Sequence, residues 1–425
     1  MSGKHIFDLM STLWPICRSI TGDGVRETLN KIQSFLPGLK VHEVPTGTKC
    51  FDWEIPKEWN IKDAFILNPN GEKIIDFNVS NLHVVNYSIP VNKEIDLEDL
   101  QLHLHSIKNQ PDAIPYVTSY YKENWGFCIS HNQREKLIKG KYKVVIDSEL
   151  KDGHLTYGEL IIKGKSKKEV FISTYICHPS MANNELSGPC LTTFLARYIE
   201  KMNPKYTYRI IFVPETIGSI FYLSQNLKIL KENILAGFNI NCVGDNNNWS
   251  FLPSKNGNLY VDRLTRRILK KRGVNYKEYS FLERGSDERQ YCSPGIDLPV
   301  CSIMRSKYNT FEEYHTSHDN LEFVSEDGLQ GAFEIYCDLI DEIERDIIPF
   351  CKIMAEPMMS KRGLRPTIGK RDSANSTKIF MDFLIFADGK NNLKEISKLI
   401  NCDLEEAAKI LDTLKKHDLI DYISK

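Results

Sequence analysis

Apolar and polar positions along this chain follow four successive rhythms. In "TGDGVRETLNKIQSFL" the apolar residues Val25, Leu29, Ile32, Phe35 and Leu36 recur at helical spacing, and Thr21 or Asp23 is placed to cap the helix. From about 46 to 130 long helical patterns give way to short β-type runs. "AFILNPNGEKIIDF" reads as strand, Asn-Pro-Asn-Gly turn, strand, and "NLHVVNYSIPV", "LHLHSI" and "GFCIS" read as further strands. From 131 to 350 strands and helices alternate. The expected strands are "KYKVVIDSEL", "YGELIIKG", "KEVFISTYI", "YRIIFVPE", "AGFNINCVG" and "LPVCSIMRS", with helical runs at 190–202, 219–232, 258–272 and 326–348. This alternation predicts an α/β sheet covered by helices on both faces.

The last rhythm is helical again. After a Met-, Lys-, Arg- and Pro-rich linker over 351–373, "LKEISKLI", a turn and "LEEAAKILDTLKKHDLI" have the cadence of a winged helix. The predicted organisation is therefore a discontinuous α/β domain (1–45 and 131–350), an inserted β-rich domain (46–130), and a linker with winged helix (351–425).

Composition narrows the reading. A chain of 425 residues exceeds one hydrophobic core. With 41% hydrophobic and 26% charged residues it is an ordinary globular composition. The net charge of -1 gives no argument for nucleic acid or an acidic membrane. Within 351–425 there are 14 Lys+Arg and 11 Asp+Glu, a difference of +3, so nucleic acid is disfavoured as the winged helix's partner. Eleven cysteines without a CxxC pair read as reduced thiols, which points to the cytoplasm. The N-terminus lacks a secretion signal, since Asp8 interrupts its apolar run, and no window approaches a membrane span.

The candidate chemistry lies where strands stop. "FISTYIC" ends at His178, "RIIFVP" at Glu215 and "FNINCVG" at Asp245, and "EYHTSHDN" after "CSIMRS" carries His315, His318 and Asp319. In open α/β sheets ligands bind at such strand ends. Histidine and carboxylate are what a catalytic zinc site with an open position uses.

These segments resemble zinc aminopeptidases of the bacterial leucyl aminopeptidase type, whose motifs are H-x-D, G-A-x-D-N-x-S-G, E-E-x-G, an Asp, S-D-H with G-I-P, and Y-H-T-x-x-D. "RSITGDGVRETL", "CHPSMANNELSGP", "VPETIGS", "GSDERQYCSPG" and "EYHTSHDN" resemble more specifically the aminopeptidase-like proteins of bacterial polysaccharide-biosynthesis and flagellin-modification clusters. The resemblance spans nearly the whole chain. It implies a zinc-aminopeptidase-like mixed sheet flanked by helices, an inserted β-rich domain and a C-terminal winged helix.

Residue by residue, it implies metal ligands at His178, Asp245 and His315, with Glu215 as the catalytic residue, either general base or ligand. Ser180 replaces the Asp of H-x-D. The bridging Asp falls on Asn184, and Glu185, one residue on, is expected to supply the missing carboxylate to the metal. Thr216 replaces the second Glu of E-E-x-G, so one zinc ion is expected rather than two. Asn184, Asp287, Glu288, Arg289, Tyr314 and Asp319 are expected to touch substrate or support the ligands. The implied activity is zinc-dependent hydrolysis of an amide, in a small peptide or an aminoacyl group on a sugar or sugar precursor. A single-zinc acyl-transfer or cyclisation enzyme, and an inactive scaffold whose winged helix binds a partner or DNA, are the alternatives. Assembly as a homo-oligomer stays open.

Overall fold

The computed structural model describes residues 2–364 and 371–422. Part of the expected linker (365–370) and the end of the expected winged helix (423–425) lie outside the described residues. The chain divides into two compact units. The first ends at Cys337, apart from two short returns, Lys163–Lys168 and Asn203–Thr207; the second takes those returns and the chain from Asp338.

The first unit is built on a mixed eight-stranded sheet. Its order is Lys40–Pro45, His154–Ile162, Thr207–Val213, Glu169–Tyr175, Ile234–Asn239, Val300–Met304, Ser250–Leu252, Lys277–Glu278. Glu169–Tyr175, Ile234–Asn239 and Val300–Met304 run parallel, while the strands toward the first edge pair antiparallel. Glu169–Tyr175 and Val300–Met304 are buried along their whole length, as apolar runs between two helical layers must be. Helices Ser187–Glu200, Ile217–Asn233, Tyr260–Lys271 and Glu326–Arg345 fill the predicted helical runs. The α/β expectation is met.

A second sheet, Lys73–Asp76, Glu58–Leu67, Lys141–Lys151, Val91–Asp96, is wholly antiparallel. Lys141–Lys151 was expected in the main sheet, but its alternating buried and exposed positions pair it here, so the β-rich module reaches past 130. Its core includes Ala64, Ile66, Trp125, Phe127, Tyr142 and Val144. "RSITG" seats this module. Ser19 bonds Asn86, Thr21 Oγ1 lies 2.6 Å from the Tyr87 hydroxyl, and Gly22, at φ 98, packs where a Cβ would meet the Trp59 carbonyl at 2.2 Å.

The second unit holds the winged helix. Helices Arg371–Phe386, Leu393–Leu399 and Leu404–Lys416 precede Ile420–Asp421, which pairs antiparallel with Phe350–Cys351. Asn392 and Glu395 form a reciprocal capping box, and Asp403 caps the next helix through the Glu406 amide. Phe383, Ile396, Ala407, Leu411 and Leu414 make its core. Among the described residues, no helix is long and apolar enough to cross a membrane.

Candidate active site

Three chain segments bring His178, Glu215 and His315 to one cavity of about 390 Å³. His178 and Glu215 follow neighbouring strands of the main sheet. His315 sits on a loop held in the left-handed region (φ 57). That conformation is costly for an L-residue, and the β-rich module fixes it: the His315 carbonyl accepts from the Tyr116 amide at 2.8 Å, and the Ser317 amide donates to the Ile114 carbonyl at 2.9 Å. Tyr314 stacks on the His315 ring, centroids 3.9 Å apart.

The His178 and His315 rings are 5.5 Å apart, and His178 Nε2 lies 3.9 Å from Glu215 Oε2. His315 Nε2 is buried and has no hydrogen-bond partner. Burial pushes both imidazoles down to about 3, so they are neutral at physiological pH. Burial, then the neighbouring Asp287 charge, pushes the Glu215 carboxyl up to about 8. The Tyr116 ring stands about 5 Å from both histidines, and its hydroxyl is 2.9 Å from that of Tyr120.

Behind His178 lies a dry layer. Its Nδ1 is 2.7 Å from Glu185 Oε2, and Arg18 Nε is 3.6 Å from Glu185 Oε1. Arg18 and Glu185 are completely buried. Arg18 also donates to the carbonyls of Leu13, His178 and Pro179. Burial pushes the Glu185 carboxyl up to about 8, and the Arg18 charge pulls it back toward the ionised form. Glu185 belongs to a π-helical turn, Ala182–Leu186, that leads into helix Ser187–Glu200; Gly188 allows this close approach, since a Cβ there would meet the Ile240 carbonyl at 2.4 Å.

Of the remaining expected residues only Arg289 lines the cavity. Asp245, expected on the metal, is saturated: its oxygens accept from Asn183 Nδ2, the Asn247 and Ser306 amides and the Ser306 hydroxyl at 2.8–3.0 Å. Four donors occupy the lone pairs a cation would need, so the expectation does not fit its surroundings. Glu185, also expected on the metal, faces His178 Nδ1 instead of the cavity. Cys177, His178 and Glu185 do place ligand-type atoms within 4.8 Å of one another. However, a cation there would have to displace the 2.7 Å bond and deprotonate a thiol that burial pushes well up.

Asp319 accepts from the Asn183 and Asn184 amides at 2.6 and 2.9 Å, fixing the start of the π-helical turn. Asn184 Oδ1 accepts from the Tyr175 hydroxyl. Glu288 accepts from Asn239 Nδ2, the Gly285 and Ser286 amides and the Tyr308 hydroxyl. Asp287 accepts from the Thr216 amide and Ser219 hydroxyl, leaving Oδ2 without a partner. Arg289 lines the cavity and donates to Thr216 Oγ1 at 2.6 Å. Thr216 itself is strained (φ 66, ψ -74), with the Ile217 amide bonded to the Glu215 carbonyl, a tight γ-turn that aims Glu215. Sequence reasoning missed Arg18, Cys177, Tyr116 and Tyr120. "RSITG" was a usable signal for Arg18; the tyrosines carried no pattern pointing to the site.

The fold and this site define an aminopeptidase-like α/β protein with a C-terminal winged helix. A family described as a domain of unknown function (DUF4910) matches residues 7–346, and the chain belongs to it; a winged helix-turn-helix family matches 347–422. A Clostridium acetobutylicum candidate polysaccharide biosynthesis protein with an aminopeptidase-like domain is 45% identical, covering 99% of this chain and 97% of the relative. The crystal structure of a candidate peptidase from Clostridium acetobutylicum superposes at TM-score 0.82 with 44% identity, over 99% of this chain and 96% of that one. A zinc aminopeptidase from Bacillus subtilis shares the fold at TM-score 0.58 and 16% identity, over 80% and 95% of the two chains.

Proposed function

We propose that this protein is a single-zinc amide hydrolase of aminopeptidase type. The observation that carries the reading is the buried, unpartnered Nε2 of His315, turned into the cavity that also receives His178 and Glu215. Two neutral imidazoles are nitrogen donors of the kind a catalytic zinc uses, and the carboxylate beside them is placed as the base. Zinc held there supplies Lewis-acid polarisation of a carbonyl and acidification of water.

The chain's own groups do the rest. Ionised Glu185 accepts the Nδ1 proton of His178 and leaves the Nε2 lone pair for the cavity, so occupation of Nε2 and ionisation of Glu185 favour each other. Arg18 is the counter-charge that pulls Glu185 towards the ionised form against burial. Glu215, pushed up to about 8, takes a proton from water and passes it to the leaving amine. Tyr116 and Tyr120, whose phenols burial holds protonated, exclude water and offer O–H donors.

The substrate in this reading is a small peptide or an aminoacyl group on a sugar precursor, the latter supported by the name of the Clostridium relative. A cytoplasmic location rests on the eleven scattered cysteines. The winged helix is assigned a protein-contact role: helix Leu404–Lys416 opens with exposed Glu405 and Glu406, which oppose phosphate. The test is metal analysis of purified protein with hydrolysis of an aminoacyl-arylamide panel, for wild type, Glu215→Gln and His315→Ala. The reading expects about one zinc per chain, lost in His315→Ala, and activity lost in both variants. Unchanged zinc and activity in both would refute it.

A further inference from the structure

Arg289 is the one permanent cation among the described residues that line the cavity. Its Nη2 is committed to Thr216 Oγ1, but its Nε is buried without any partner. Among the described residues no carboxylate oxygen comes within the 4 Å of an ion pair with it. The nearby acids make no hydrogen bond to it, although its charge draws both towards the ionised form: Asp287 Oδ1 holds the Thr216 amide and the Ser219 hydroxyl while Oδ2 has no partner, and Glu215 faces His178. A guanidinium carries five N–H donors in a rigid fork, and a buried N–H left bare is costly. The strained turn at Thr216 fixes one arm of that fork and leaves the remainder for a ligand.

We propose that this site takes acyl substrates bearing an anionic oxygen group, carboxylate or phosphate, which Arg289 binds while the acyl group lies toward His178 and His315. The proposal rests on the zinc-hydrolase reading above and adds the charge of its substrate. A cavity of about 390 Å³ accommodates a small acid and not a folded partner.

The experiment is calorimetric titration of zinc-loaded full-length protein with three probes: succinate monohydroxamate, its carboxamide analogue and its phosphonate analogue. Arg289→Gln and Arg289→Lys are titrated alongside, with Arg284→Gln, an exposed arginine outside the cavity, as control. The anionic probe is expected to bind at least about tenfold tighter than the carboxamide, as charge-assisted bonds do. The ratio falls to about one in Arg289→Gln, is partly kept in Arg289→Lys and is unchanged in Arg284→Gln. Preference between the carboxylate and phosphonate probes assigns the kind of anion. Equal binding of acid and carboxamide by wild type overturns the proposal while leaving the zinc reading intact. Failure of all three hydroxamates to bind overturns the zinc reading and the proposal with it.

Discussion

Asp245 and Glu215 both follow strands of one sheet, and sequence alone gives them equal claims on a metal. Their surroundings are opposite. Asp245 sits in a corner with Asn183, Asn247 and Ser306 where each of its lone pairs has a donor. Glu215 sits at a cavity beside two neutral histidines, one of which carries an unused nitrogen. Where hydrogen-bonding capacity is spent, a buried carboxylate is a fastening; where it is unspent next to open space, it is available to a ligand. Asp319 and Glu288 fall on the Asp245 side of this division, and Arg289 on the Glu215 side.

Substitutions at the two carboxylates would break the comparison most directly. Glu215→Gln is expected to lower kcat by roughly 10²–10⁴-fold with zinc still bound, measured by arylamide hydrolysis and metal analysis. Asp245→Ala is expected to do the reverse: a stability loss of about 3 kcal/mol in urea unfolding, because four donors lose their acceptor, with zinc content retained. Equal zinc loss in both would erase the distinction.

Acid should sharpen it next. Both histidines are held down to about 3 in the fold against an ordinary value of 6.5, so below pH 6.5 the unfolded chain binds protons that the folded chain refuses. The two imidazoles' contribution to the stability of the metal-free protein is therefore full above pH 6.5 and declines as pH falls, by about 2 kcal/mol per imidazole at pH 5, while Glu185 and Glu215, held up to about 8, work in the opposite sense over the same range. The melting temperature of His315→Asn relative to wild type should therefore rise as pH falls from 6.5 to 5, since the variant lacks one of the two imidazoles that refuse the proton. The smallest effect concerns the layer behind the ring: Glu185→Gln should weaken zinc by about 10–100-fold in a chelator competition, with Ser180→Asp in the same background as the attempted rescue.

The fold was largely legible because its strands and helices differ in period, and because motifs such as "VPETIGS" and "EYHTSHDN" mark strand ends. Lys141–Lys151 was misassigned since periodicity shows that a strand alternates, not which sheet it joins. His178, Glu215 and His315 were legible as residue types at strand ends. The inward role of Glu185 was not: a π-helical turn rotates that side chain toward Nδ1, and no spacing rule for an α-helix anticipates it. "RSITG" marked Arg18, but its role was unreadable for a related reason, since its partner lies 167 positions away. Tyr116 and Tyr120 reach the cavity only because the β-rich module is seated on "RSITG" and on the His315 loop.

The central claim is that zinc takes the cavity side of His178. Zinc-edge anomalous diffraction from zinc-soaked crystals tests it most directly. The account predicts one peak per chain at His178 Nε2 and His315 Nε2, on the side of Glu215. A peak among Cys177, His178 Nδ1 and Glu185, or one at Asp245, would contradict it.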